Sequence, residues 1–160
     1  MATYAAPVRD LQFVLHEMLD VTSTLNELEG LEEVSEDLLD AILGEAGKLC
    51  ENVLFPINQQ GDEVGCEFDG QAVKSPPGFP QAYKALADGG WTALSCSPEF
   101  GGQGLPETVK FAVEEMVCSA NMSLSLYPGL THGAYRALSK FAAEDLQQLY
   151  LPKMVSGEWA

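Results

Sequence analysis

Apolar residues recur at helical spacing along most of the chain, and the gaps between those stretches carry its prolines and many of its glycines. Leu11, Val14, Leu15, Met18 and Leu19 predict a short first helix. An acidic link follows. Ser35 is placed to cap a second helix, with Glu36 and Asp37 in its first turn. Leu38, Leu39, Ile42, Leu43, Ala46, Leu49, Cys50 and Val53 form the apolar stripe of that helix until Pro56 stops it. Periodicity disappears from Gln59 to Gly78, and this turn-rich stretch reads as an ordered surface connection. Pro80 suits the first position of a helix that stops at Gly89 and Gly90. Trp91 to Leu94 form a short apolar segment. Pro106 opens the next helix, with Glu107 in its first turn and a core stripe of Val109, Ala112, Val113, Met116 and Val117. Pro128 and Gly129 predict a break, followed by a helix from Thr131 to Phe141 with Ala134, Leu138 and Phe141 inward. The last stretch, AEDLQQLYLPKMVSGEW, predicts one helix, interrupted or restarted at Pro152. With no long strand pattern and no internal repeat, the expected fold is all-α: an orthogonal or up-down bundle of roughly six helices with two irregular connections.

Size and charge narrow the picture. At 160 residues, 46% of them apolar, the chain is long enough for one domain with a real core, and disorder is unexpected. No apolar run approaches the roughly 20 residues needed to cross a bilayer. The opening MATYAAPVRD meets charge at Arg9 and Asp10 before any apolar core, unlike a signal peptide. A cytoplasmic protein is therefore the expectation. The net charge of −16, from 24 acids and 8 bases, repels a phosphate backbone and argues against nucleic-acid binding. Much of it lies between Glu27 and Asp40, as a solvated face or, alternatively, an acidic patch that docks a partner. The spacings of Cys50, Cys66, Cys96 and Cys118 match neither a CxxC pair nor a zinc ribbon. With only His16 and His132 besides, no metal-ligand cluster assembles, and free thiols are expected.

The stretch SPEFGGQGLPE, residues 97–107, is the chain's densest glycine cluster. It is not a P-loop, because Leu105 and Pro106 follow Gly104 where a lysine and a serine or threonine are needed. It is not a dinucleotide fingerprint either, since Glu107 stands where the third glycine should be. Exposed N–H groups ahead of a helix can bind anions, but a tight corner between two elements is the more economical reading.

Five pieces in order resemble the N-terminal helical domain of the acyl-CoA dehydrogenases. They are Gly90-Trp91, the loop Pro98-Glu99-Phe100-Gly101-Gly102-Gln103-Gly104, the pair Glu114-Glu115, Tyr150-Leu151-Pro152, and Gly157-Glu158. Spread over some 70 residues, they are far more specific than the glycines alone. The segment YAAPVRDLQFVLHEMLD is similar to the N-terminal extension of one branch of that family, that of methylmercaptopropionyl-CoA dehydrogenases and related bacterial fatty acyl-CoA dehydrogenases. The resemblance covers essentially the whole chain and divides it into an extension helix with its acidic link (1–34) and the helical domain proper (35–160).

The resemblance implies a FAD-dependent enzyme that oxidises the Cα–Cβ bond of an acyl-CoA thioester. A glutamate takes the α-proton, hydride passes to the flavin, and electrons go on to an electron-transfer flavoprotein in most members. It also implies a middle β-domain and a C-terminal helical domain carrying the base, so this chain is expected to be the N-terminal part of such an enzyme. No catalytic residue is then expected in it. Glu99, Glu114 and Glu115 are read as structural, the last two as solvated or paired one helical turn away. By resemblance, Leu124, Ser125, Tyr127, Pro128 and His132 line the buried end of an acyl pocket; the alternative is that they are core contacts between two helices, and that His132 is a hydrogen-bonded core residue. A homodimer or homotetramer is implied for the complete protein, with basic residues for the CoA phosphates supplied mostly from elsewhere. Two other readings stand beside this one: a stand-alone acidic interaction module docking through Glu27–Asp40, and an acyl-CoA oxidase.

Overall fold

A computed structural model describes residues 3–31 and 34–159; Glu32 and Glu33 of the acidic link lie outside the described residues. Among the described residues the fold is helical, with one small hairpin. Helix α1 (Val8–Gln12) runs on through a π turn (Phe13–Met18), and α2 (Val21–Asn26) follows where the sequence suggested only a link. Of the first helix's apolar set, Leu11 and Leu15 are buried, whereas Val14, Met18 and Leu19 are exposed. Leu11 and Leu15 join Val21 and Leu25 in the main core, so the extension shares the core of the rest of the chain.

Helix α3 (Glu36–Leu49) starts as expected: the Leu38 N–H donates to Ser35 Oγ at 3.2 Å, and Glu36 and Asp37 sit in the first turn. It continues as a π turn (Cys50–Leu54) and a 3-10 turn (Phe55–Ile57), so Pro56 does not end the helical run. Leu39, Leu43, Ala46, Cys50 and Leu54 are at most 1% exposed and form the centre of the core, while Leu38 is turned outward. Each such leucine contributes about 1.5–3 kcal/mol by leaving water.

The ordered surface connection contains secondary structure that its composition did not announce. Residues Asn58–Val64 form helix α4, and β1 (Glu67–Phe68) pairs antiparallel with β2 (Val73–Lys74). Gly61 packs under Phe79, where a Cβ would come within 2.5 Å of the ring. Asp69 makes the hairpin turn, its Oδ1 accepting from the N–H groups of Gln71 and Ala72 while Gly70 takes a φ of +97°. Helix α5 (Phe79–Asp88) then ends at Gly89 and Gly90, the latter at φ +72°.

The main correction concerns α6 (Glu107–Phe141), with Pro106 as its cap rather than its first residue. Pro128 does not break it. The bend is at Asn121, whose φ of −157° and ψ of 86° lie outside the helix. The Asn121 amide explains this: its Nδ2 donates to the Leu54 carbonyl at 3.1 Å, and its Oδ1 accepts from the Leu124 N–H at 3.0 Å. One side chain thus ends the first arm (107–120) against α3's extension and caps the second arm (122–141). The second arm runs back beside the first: Cys118 Sγ lies 3.4 Å from Ser125 Oγ, and Glu107 lies beside His132 and Arg136. Along the second arm Leu138 is partly buried, but Ala134 is exposed and Phe141 is 80% exposed. The inward face is carried by Tyr135 instead.

Helix α7 (Glu144–Val155) passes through Pro152 without interruption. Its Leu151 and Val155 pack with Ala93, Cys96, Phe100 and Tyr135 in a second, smaller core. Among the described residues no helix is long and apolar enough to cross a membrane.

Candidate functional site

The glycine stretch folds into a corner whose backbone donors are consumed internally. The N–H groups of Gly101, Gly102, Gln103, Gly104 and Leu105 donate to the carbonyls of Pro98, Ser97, Ala93, Cys96 and Leu94. A Cβ on Gly102 would sit 2.1 Å from the Cys96 carbonyl oxygen, so only glycine fits. Gly101 and Gly104 hold φ values of +91° and +67°. No array of free amides is left to cradle a phosphate. Tyr135 pins the corner to α6, its hydroxyl accepting from the Ser97 N–H at 2.8 Å. The Gly157-Glu158 piece is held comparably: Tyr83 donates to the Gly157 carbonyl at 2.9 Å, and a Cβ on Gly157 would come within 2.7 Å of Ala87.

Between the two arms of α6 lies a groove of about 420 Å³, closed on one side by Leu86, Trp91 and Leu94. The bend at Asn121 creates it, since a straight helix would have no facing arm. Val113, Val117 and Met122 give it apolar walls. Gly129 and Gly133 keep it open: a Cβ built on either meets nothing within 4 Å. Such a volume falls within the roughly 300–1,000 Å³ range of small-molecule sites.

The five residues singled out from the sequence divide between two faces of the second arm. Ser125, Pro128 and His132, at i, i+3 and i+7, line the groove. Leu124 and Tyr127 turn to an adjoining apolar hollow of about 210 Å³, bounded by Phe79, Pro80 and Tyr83. Leu124 is a core residue at 1% exposure, and Tyr127, 40% exposed, lies 3.9 Å from Cys66 Sγ. Ser125 Oγ donates to the Met122 carbonyl at 2.7 Å and receives the Cys118 thiol, so its polarity is satisfied within the hairpin.

His132 is largely packed away. Its side chain is nine-tenths buried, it stacks on Tyr135 with ring centroids 6.0 Å apart, and neither ring nitrogen has a hydrogen-bond partner. Nε2 lies 3.4 Å from Glu107 Oε1, which also faces Arg136 Nη1 at 3.9 Å. Burial, and then the Lys110 ammonium, push the imidazole below its ordinary pKa against the opposing pull of Glu107. The ring is therefore neutral at pH 7, and each buried polar group left unpaired costs about 1–3 kcal/mol.

Beside it sits a charged cluster that single-residue reading missed. Lys110 is buried and pairs with Glu114 at 2.7 Å, and Glu107 faces both His132 and Arg136. The i,i+4 spacing of Lys110 and Glu114 was visible in the sequence; the pairing of 107 with 132 and 136 depends on the bend and was not. Glu114 is thus engaged one turn away within its helix. Of the thiols, Cys50 and Cys96 are buried and their pKa values are pushed up by burial to about 12 and about 11.

Comparison with known proteins gives this arrangement a family. The family described as acyl-CoA dehydrogenase, N-terminal domain, matches residues 37–158. The chain is 38% identical over 161 residues to 3-methylmercaptopropionyl-CoA dehydrogenase of Ruegeria pomeroyi, covering 99% of this chain and 27% of that protein. It is 32% identical over 163 residues to a butyryl-CoA dehydrogenase of Syntrophomonas wolfei, covering 98% and 26%. A broad-specificity linear acyl-CoA dehydrogenase of Mycobacterium tuberculosis is 29% identical over 131 residues, covering 81% and 21%. The chain spans about a quarter of the length of the curated relatives it matches. An Asn-bent helical hairpin, a closed glycine corner and an anchored Gly-Glu segment are thus the parts of a chain that belongs to the acyl-CoA dehydrogenase family, through its N-terminal domain.

Proposed function

We propose that this chain is the N-terminal helical part of a FAD-dependent acyl-CoA dehydrogenase that converts acyl-CoA thioesters to trans-2-enoyl-CoA, and that the groove between the arms of α6 forms a wall of its acyl pocket. The groove itself carries the reading: an apolar slot of about 420 Å³, kept open by two glycines, in a chain of this family. Ser125, Pro128 and His132 then face the acyl chain, while Leu124 and Tyr127 back the slot from the neighbouring hollow. The relatives' names span a short linear acyl group, a methylmercapto-substituted one and a broad linear range. All are acyl-CoA thioesters, and that class is the one proposed here.

The glycine corner offers FAD no phosphate cradle. The glycine corner's amides are spent, and the chain's −16 charge opposes a pyrophosphate. Flavin and CoA phosphates are accordingly assigned to the remainder of the protein, as is the catalytic base. An open apolar shelf formed by Leu126, Leu130, Met154 and Trp159 is suited to pack against that remainder. Transfer of electrons to an electron-transfer flavoprotein, homo-oligomerisation and a cytoplasmic location complete the proposal.

The test is anaerobic titration of the full-length protein with acyl-CoAs of increasing length, followed in the visible spectrum. Loss of the oxidised flavin band is expected with at least one of them. A flavin-loaded protein that none of them bleaches contradicts the proposal.

A further inference from the structure

Polar contacts join the two arms of α6 near the bend and again at the far end of the groove. Near the bend, the Cys118 thiol rests on the Ser125 hydroxyl. At the far end, Glu107 Oε1 of the first arm faces His132 Nε2 and Arg136 Nη1 of the second. The far contact is sealed but incompletely paired. Neither nitrogen of His132 has a hydrogen-bond partner, and neither does Glu107 Oε2. The charges around the ring oppose one another. The carboxylates of Glu107 and Glu114 draw a proton towards it, and the Lys110 ammonium repels one. On its own arm, Arg136 shares Glu107 with it. On its other side stand Tyr83 of α5, Cys96 and Tyr135, all kept uncharged by burial, with Met154 of α7 and Trp159 beside them. Glu107 itself borders a polar cleft with Glu99 and Lys140. Burial decides the balance, because a proton on a sealed ring has no water to solvate it.

We propose that His132 and Glu107 form a proton-operated clasp between the arms of α6, closed around the acyl chain while the ring is neutral and loosened by one added proton. The proposal rests on the acyl-pocket reading above and adds a regulation to it. The ring lies between the arms, so its charged form reaches water when they part at this end. Lys110, Glu114 and Arg136 line the groove beside it, and parting the arms there withdraws one wall from the ligand. The ring resists protonation in the closed molecule and accepts it normally once exposed. The closed form is therefore unaffected well above the ordinary imidazole value of 6.5 and loses ground as pH falls below it.

The experiment uses the full-length flavoprotein and follows one ratio from about pH 8 to about pH 5.5. The ratio is kcat/KM for the longest straight-chain acyl-CoA that bleaches the flavin over that for the shortest. Titration of the catalytic base acts on both substrates and drops out, whereas a loosened groove penalises the chain that fills it. The ratio is expected to be level at the alkaline end and to fall about three-fold or more at the acid end. His132→Phe, which retains the stack on Tyr135 but cannot titrate, should make it level throughout. Glu107→Gln removes the pull on the proton and should deepen the acid fall, and Lys110→Met removes the repulsion and should lessen it. A merely structural role would lower the ratio equally at every pH. If the phenylalanine variant does not fold, the opposite effects of the other two still decide. A wild-type ratio that stays level, or rises, at acid pH overturns the clasp and leaves the dehydrogenase reading standing. If no acyl-CoA bleaches the flavin at any pH, the dehydrogenase reading falls and takes the clasp with it.

Discussion

Asn121 does more than any other single residue to shape the candidate site. Its amide holds the Leu54 carbonyl and the Leu124 N–H at once, in a position that is 1% exposed. Asn121→Ala removes a helix cap and leaves a buried carbonyl unmet. We expect a loss of about 2–3 kcal/mol, read as a lower urea midpoint with an unchanged slope. An unchanged midpoint would mean that the bend is imposed by packing alone. This residue was illegible in the sequence because asparagine is unremarkable in a helix, whereas Pro128 advertises a break. The proline lacks one N–H, yet its neighbours' bonds carry the helix through it. Where a residue's effect is local, as with the Ser35 cap or the positive φ at Gly90, the sequence was a good guide. Where it depends on a partner sixty-seven residues away, as with Asn121 and Leu54, it was not.

At the scale of elements, periodicity located α3 and the first arm of α6 because each buries one continuous stripe, while α5 was marked by Pro80 and the glycines that stop it. It failed for α4 and the β1–β2 hairpin, which are short and largely exposed, so no stripe marks them. The second arm of α6 defeated it for a different reason. It presents Ser125, Pro128 and His132 to the groove and Leu130 to the outside, so burial does not follow apolarity. The groove residues were named from the family resemblance, but the groove needed the bend. Thiol reactivity separates the elements cleanly. Cys66, beside the hairpin, is exposed and should be alkylated rapidly at pH 8, whereas Cys50 in α3's π turn and Cys96 in the second core should resist until the protein unfolds. Modification of Cys50 in the native protein would contradict the packing of α3 against α6.

For the whole molecule, the same burial sets an alkaline limit. The folded-state values of Cys50, Cys96 and Tyr4 are raised by burial to about 12, about 11 and about 12, from ordinary values of 9.0, 9.0 and 10.0. A raised value means that the unfolded chain ionises first, so this stabilisation is complete below pH 9 and is lost as pH climbs from 9 towards 12. The melting temperature is expected to fall steadily over that window, less steeply in Cys50→Ala. A flat profile to pH 11 would contradict buried, protonated thiols. The molecule also leaves Leu126, Leu130 and Trp159 in the open, 55%, 75% and 40% exposed. Under the proposed function, that apolar face is the one suited to pack against the remainder of the protein.

The central claim, that the groove between the arms of α6 bounds the acyl chain, is most directly tested by the chain-length profile of the full-length enzyme carrying Gly129→Leu. The backbone there is helical and a Cβ meets nothing within 4 Å, so the new side chain enters the groove rather than displacing the fold. We expect the kcat/KM optimum to move to shorter acyl-CoAs, with the longest substrates losing on the order of ten-fold or more. A profile that keeps the wild-type optimum would show that the acyl chain lies elsewhere.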